Sequence, residues 1–201
     1  MIFIRRLPKS NDIEVLKAQM RPLKEVRLRS LELDPQNFYS KYENEIKQPD
    51  NFWIDRMRPE YVQHFVAVSA ETGADADTID EQTKFTSFLV VVREYNVSED
   101  QADVGQKAEL PKYFLGVVWV DPLMRGQGIG SKIIKESIDW IKQDARANSL
   151  LRVRYRLAAM EGNDRAVALY TRLGFSIDQA KRTDEAETDT ETAMSMIIDI
   201  D

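Results

Sequence analysis

Residues 125–131, Arg125-Gly126-Gln127-Gly128-Ile129-Gly130-Ser131, carry the densest chemical signal in the chain. They follow the apolar run Tyr113-Phe114-Leu115-Gly116-Val117-Val118-Trp119-Val120 and open onto a helical pattern. A strand that feeds a glycine-rich turn at a helix N-terminus aims several unpaired backbone N–H groups at one point, and the helix dipole adds partial positive charge there. That arrangement suits a phosphate or pyrophosphate. A Walker A loop needs Gly, four residues, then Gly-Lys-Ser/Thr, but Gly130 is followed by Ser131-Lys132 and Arg125 stands where the first glycine should be. A dinucleotide fingerprint needs G-x-G-x-x-G, and after Gly126 and Gly128 the last position is Ser131. Neither mechanism finds its residues. On this stretch alone, a turn that only reverses the chain stays open.

Other chemistries have little to work with. There is no cysteine, which excludes disulfides, a thiol nucleophile and thiolate metal sites. With His64 as the one histidine, a zinc site would need carboxylates for almost every ligand, so no metal is expected. A Ser-His-Asp triad would have to use that same residue. The net charge of −6, with both signs mixed along the chain, argues against nucleic acid as the main partner. No run approaches the roughly 18 uncharged apolar residues of a membrane helix. The start, Met1-Ile2-Phe3-Ile4-Arg5-Arg6, puts its apolar residues before its charges, unlike a signal peptide. A cytoplasmic protein with no membrane partner is the expectation.

Holding such a turn takes a sheet and its covering helices, and the pattern supplies both. Ile2 to Leu7 reads as a strand. Asn11 with Glu14 three residues on resembles a capping box, ahead of Ile13, Leu16 and Met20 at helical spacing. Pro22 predicts a break, with a second helix carrying Leu23, Val26 and Leu31 until Asp34-Pro35 stops it. Residues 38–53 read as loop with helical fragments. Strands are predicted over 61–69, 85–93, 113–120, 150–159, 175–178 and 192–200, and helices over 129–144 and 163–173. In the first of these helices Ile133, Ser137, Trp140 and Ile141 line one face, with Ile134 and Ile138 beside them. Gly174 stands where a C-cap glycine belongs. Acidic loops fill 70–84, 94–111 and 179–191. The expected fold is α/β (α+β): one domain over 1–201, with a mixed sheet of about seven strands flanked by helices.

A second stretch, Asn163-Asp164-Arg165-Ala166-Val167-Ala168-Leu169-Tyr170-Thr171-Arg172-Leu173-Gly174-Phe175, is independent of the first. It resembles the N-x-x-A-x-x-L-Y-x-x-x-G-F helix of the GCN5-related N-acetyltransferase (GNAT) superfamily, just as Arg125-x-x-Gly128-x-Gly130 after a strand resembles that family's acyl-CoA-binding motif. Pro35-Gln36-Asn37-Phe38 is similar to a segment near the family's beginning. The resemblance is strong over 113–175 and loose elsewhere.

That resemblance implies a GNAT-like fold with a splayed pair of parallel strands, and direct transfer of an acetyl group from acetyl-CoA (coenzyme A) to a primary amine. Arg125, Gly126, Gln127, Gly128, Ile129, Gly130 and Ser131 would hold the pyrophosphate. Val118 and Val120 would offer main-chain groups to the pantetheine arm, and Asn163 a side chain. A backbone N–H near Val120 would meet the charge developing on the thioester oxygen, and Tyr170 would bind at the thiol and act as general acid. The base is unassigned: Asp121, Glu32, Asp34, Glu161 and His64 are candidates without positional support, and a water chain would serve. Phe38, Tyr39, Tyr42, Phe52 and Trp53 lie where the family builds its acceptor pocket, and they serve equally well as rings covering the sheet. Arg165 and Arg172 read as solvated helix charges rather than partners of the 3′-phosphate. A small-molecule amine is the leading acceptor. A protein N-terminus or lysine, a non-catalytic acyl-CoA sensor and an unrelated nucleotide-binding protein are the competing readings, and a homodimer is among the assemblies left open.

Overall fold

The computed structural model describes residues 2–69, 79, 83–94, 110–160, 162–178 and 193–201. Seven strands form one sheet in the order β1-β2-β3-β4-β5-β7-β6. They are β1 (Ile2–Arg6), β2 (Val62–Ser69), β3 (Phe85–Glu94), β4 (Lys112–Val120), β5 (Val153–Met160), β6 (Ser176–Ile177) and β7 (Ala193–Ile200). Helices are α1 (Ile13–Leu33), α2 (Tyr42–Glu45), α3 (Asp50–Met57), α4 (Ile129–Ala147) and α5 (Asp164–Arg172). The mixed αβ architecture and its strand count are those expected. No described helix is long and apolar enough to cross a membrane. The acidic stretches 70–84, 94–111 and 179–191 lie mostly outside the described residues, as does Glu161.

The chain divides into two compact units, residues 1–91 with 117–137 and residues 92–116 with 138–201. In the first, α1 is one helix and not the expected two. Pro22 sits inside it and is buried. Losing that hydrogen bond costs about 3 kcal/mol. The buried residues Leu16, Met20, Leu23, Val26 and Leu31 run past the proline on both sides, and each contributes roughly 1.5–3 kcal/mol when fully buried. Packing therefore outweighs the break. The cap is Asp12, not Asn11: its Oδ1 accepts from the Glu14 N–H at 2.9 Å. The core beneath joins Leu7, Trp53, Ile54, Met57, Val66, Val68, Phe85, Phe88 and Trp119 to that helix face. β2 is buried along nearly its whole length, with Val66 and Val68 packed in that core, and β1 pairs with it antiparallel from Ile2↔Ser69 to Arg6↔Phe65.

In the second unit β4 and β5 pair in parallel from Lys112↔Arg154 to Leu115↔Leu157. The ladder stops there, while β4 continues to Val120 and β5 to Met160. β7 then runs antiparallel to β5 from Val153↔Ile200 to Met160↔Ala193. β5 begins three residues later than expected. Ser149 takes a left-handed φ of 58° and the Leu150 N–H bonds back to the Ala145 carbonyl at 2.9 Å. The reversal after α4 is thus a Schellman-type stop that uses up those residues before a strand can start. Tyr113 is buried, donates its hydroxyl to Asp144 Oδ2 at 2.7 Å, and meets Trp140 edge-on. Gly174 (φ +95°) ends α5, as its position in the sequence indicates.

Candidate functional site

β4 delivers the chain into the glycine turn through a short 3-10 turn, Pro122–Met124. Gly126 and Gly128 have φ of +79° and +77°, a region where a side chain is strained. A Cβ at either would meet nothing within 4 Å. These glycines are therefore required by backbone conformation and face open space, with no neighbour pressed against them. Gly130 is different, since it lies inside the first turn of α4. The first intrahelical bond runs from the Lys132 N–H to the Gly128 carbonyl at 3.0 Å. The N–H groups of Ile129, Gly130 and Ser131 consequently have no partner within the helix. With 19 residues of aligned dipole behind them, they are a candidate site for an anion. Every fourth residue of α4 from Ile129 is buried — Ile129, Ile133, Ser137, Ile141 and Ala145 — which fixes the helix while Gly126 to Gly128 stay exposed. Ile134 is buried beside that row, whereas Trp140 and Ile138 are only half-buried.

The anchor of this turn is a residue that the sequence marks as a helix stop and as one of several base candidates without positional support. Asp34, the C-cap of α1, is buried. Its Oδ2 accepts from Trp119 Nε1 at 2.6 Å and from Arg125 Nη2. Arg125 Nε in turn donates to the Val120 carbonyl at 3.0 Å. The guanidinium of Arg125 is thereby folded back onto the strand that precedes it, and the turn starts from a fixed point. Ser87 Oγ donates to the Trp119 carbonyl at 2.6 Å, and the Asp121 N–H to the Thr86 carbonyl at 2.9 Å, so β3 holds the same strand end. Nothing in the sequence brings Asp34 and Arg125 together across 91 residues.

The acid–base candidates separate clearly. Asp121 is spent on structure: Oδ1 accepts from the Leu123 N–H at 2.9 Å, and Oδ2 pairs with Arg29 Nε at 2.7 Å. Asp34 is held by its two donors. His64 is buried on β2, and burial, together with the charges of Lys9 and Arg56, pushes its pKa down to about 3. A base that weak accepts few protons at neutral pH. Glu32 is exposed on α1.

Asn163 and Tyr170 lie in the other unit, on α5. Asn163 is the N-cap of that helix, and its Oδ1 accepts from the Ala166 N–H at 3.2 Å. Tyr170 is buried, with its ring edge-on to Phe175 at 5.9 Å, and burial pushes its phenol up to about 12. It therefore stays protonated across the neutral range. Arg165 and Arg172 are exposed.

Of the aromatic set before β2, Trp53 is in the core and Phe38 packs against it. Tyr42 is half-buried. Only Tyr39 and Phe52 line a groove, of about 360 Å³, shared with Ser40, Lys41, Asn44, Glu45, Gln48 and Arg56. Among the described residues no group of three or more His, Asp or Glu is placed to hold a metal ion.

Residues 32–175 match the sequence profile of the acetyltransferase (GNAT) family. No curated protein matches the chain. Among solved structures, a GNAT-family acetyltransferase from Streptococcus pneumoniae shares 18% identity at a TM-score of 0.57, covering 100% of both chains. Arabidopsis thaliana NAA60 in complex with acetyl-CoA shares 14% at 0.59, again covering 100% of both. The ribosomal-protein-S18-alanine N-acetyltransferase of Escherichia coli shares 16% at 0.50, over 100% of this chain and 93% of that one. At these identities the likeness is one of fold.

Proposed function

The chain belongs to the acetyltransferase (GNAT) family, and on that premise we propose that it transfers the acetyl group of acetyl-CoA to a primary amine of a small molecule by direct attack. It is an acetyl-CoA-dependent N-acyltransferase. The observation that carries the reading is the turn at Gly126 and Gly128: positive φ, open space above, and the unpaired N–H groups of a long helix behind.

Acetyl-CoA supplies the acetyl group as a thioester. The chain's own groups do the rest. The Arg125 N–H already donates to the Pro122 carbonyl at 3.4 Å, so the N–H groups from Gly126 to Ser131 bind the pyrophosphate, with Gly126 and Gly128 allowing the backbone to approach. Val118 and Val120 offer main-chain groups to the pantetheine arm and Asn163 a side-chain amide. The Val120 carbonyl already accepts from Arg125. Its N–H is the donor for charge developing on the thioester oxygen. Tyr170, protonated because it is buried, gives its proton to the leaving thiolate. The amine loses its proton through water, since Asp34, Asp121 and His64 are each held in a structural role or too weak a base. All 201 residues form one acetyltransferase domain in this reading.

A peptide amine is the second reading, favoured by the fold shared with the E. coli enzyme that acts on a ribosomal-protein alanine. Three measurements test the proposal. Acetyl-CoA should raise the Tm well above the shift given by ATP or NAD; equal shifts would sink the cofactor assignment. Free-thiol release across polyamines, amino acids, aminoglycosides and peptides should identify the acceptor, and Tyr170→Phe should lower kcat more than it raises the KM for acetyl-CoA. An unchanged kcat removes Tyr170 from the acid role.

A further inference from the structure

The groove between α2 and α3 has a charge pattern that the acetyl transfer does not use. Its one carboxylate, Glu45, is buried and already paired on both oxygens: Arg27 Nη2 donates to Oε1 at 2.8 Å and Arg27 Nε to Oε2 at 3.0 Å. Although burial opposes its ionisation, the hydrogen bond and charge of Arg27, a hydrogen bond from Ser40 and the charge of Arg56 hold its pKa below the ordinary range. Arg56 approaches it only to 3.6 Å, beyond hydrogen-bond reach, and lies half-exposed over the Phe52 ring at 4.7 Å. Lys41 is exposed on the groove lining, and its ammonium has no partner among the described residues. Arg27 thus neutralises the groove's one carboxylate, and the two cations on the lining, Arg56 and Lys41, are left in excess, in a protein whose net charge is −6. An incoming ammonium would be repelled and would find both Glu45 oxygens taken. An incoming anion would find the donors of Lys41 and Arg56, with local attraction against the overall field. Tyr39, 64% exposed, and Phe52 add apolar faces on the same lining.

We propose that this groove binds a carboxylate carried on a flat apolar body and so selects an acceptor amine bearing that group. The selecting role rests on the acetyltransferase reading, whereas the binding role stands without it. Calorimetry on the full chain would compare 3-phenylpropionate, its carboxamide and 3-phenylpropylamine. The acid should bind at least about tenfold more tightly than the amide, and the amine should not bind. Lys41→Glu should abolish the acid's advantage while the Tm shift caused by acetyl-CoA stays as in the wild type. Equal binding of acid and amide, or an unaffected Lys41→Glu variant, overturns the site. In thiol release, amino acids should outperform their amides in kcat/KM, and Lys41→Glu should erase that preference. No preference for the acids overturns the selecting role. A protein that acetyl-CoA fails to stabilise loses the acetyltransferase reading instead, and the acid–amide comparison still reports on the groove.

Discussion

Asp34 is the residue whose role the tertiary structure changes most. In the sequence it ends a helix before Pro35 and counts among several unplaced carboxylates. In the fold its carboxylate is shared by a buried indole and the first residue of the glycine turn. Removing it leaves Trp119 Nε1 buried without an acceptor, which costs about 1–3 kcal/mol. Asp34→Asn keeps an acceptor for the indole but loses the charge that holds Arg125. We expect Asp34→Asn to raise the KM for acetyl-CoA several-fold with a much smaller change in kcat. Because both side chains act on one contact, Arg125→Ala should add little further loss of acetyl-CoA affinity once Asp34 is gone. Fully additive losses, measured by calorimetry, would show that the two residues act separately.

At the scale of elements, the turn is where sequence and structure agree most closely. Gly126 and Gly128 are positive-φ positions, while Gly130 is an ordinary first-turn residue. Their substitutions should therefore differ. Gly128→Ala should destabilise the free protein by about 1–2 kcal/mol from backbone strain alone, since its Cβ meets nothing. It should weaken acetyl-CoA binding further, because that Cβ would project into the space above the turn. Chemical denaturation and calorimetry separate the two effects. A variant that is destabilised yet binds normally would move the pyrophosphate away from Gly128. α1 gives the opposite lesson. Pro22 signals a break by its own chemistry, and the buried row on both sides of it overrides that signal. Likewise the shifted start of β5 follows from a left-handed Ser149, a residue type that gives no warning of it.

For the molecule as a whole, charge is mixed and acidic overall, so acid tolerance depends on which groups the fold perturbs. His64 is held near pKa 3 when folded, against an ordinary 6.5. Between those values the unfolded chain binds the extra proton. Stability therefore rises with pH through that window and falls as the solution is acidified. The slope approaches 1.4 kcal/mol per pH unit. Glu45 and Asp199, both held low by arginine partners, add losses of the same sign only in the carboxylate range further down. The interval from about pH 6.5 to 5 thus isolates the histidine. His64→Gln should flatten the dependence of denaturation free energy on pH there, and an unchanged slope would place the imidazole in contact with solvent. The sequence by itself determined the family and, with it, acetyl-CoA as the cosubstrate. Two motifs of fixed spacing encode local backbone geometry, a positive-φ turn and a capped helix, and local geometry needs no distant partner to be read. It determined the strand count for the same reason, through alternation and runs. Which carboxylates are free, which arginine is an anchor and which aromatic rings face a groove were decided only by tertiary structure. Each depends on residues brought together from far apart in the chain, such as Asp34 and Arg125 or Arg27 and Glu45, and no pattern along the chain records that meeting.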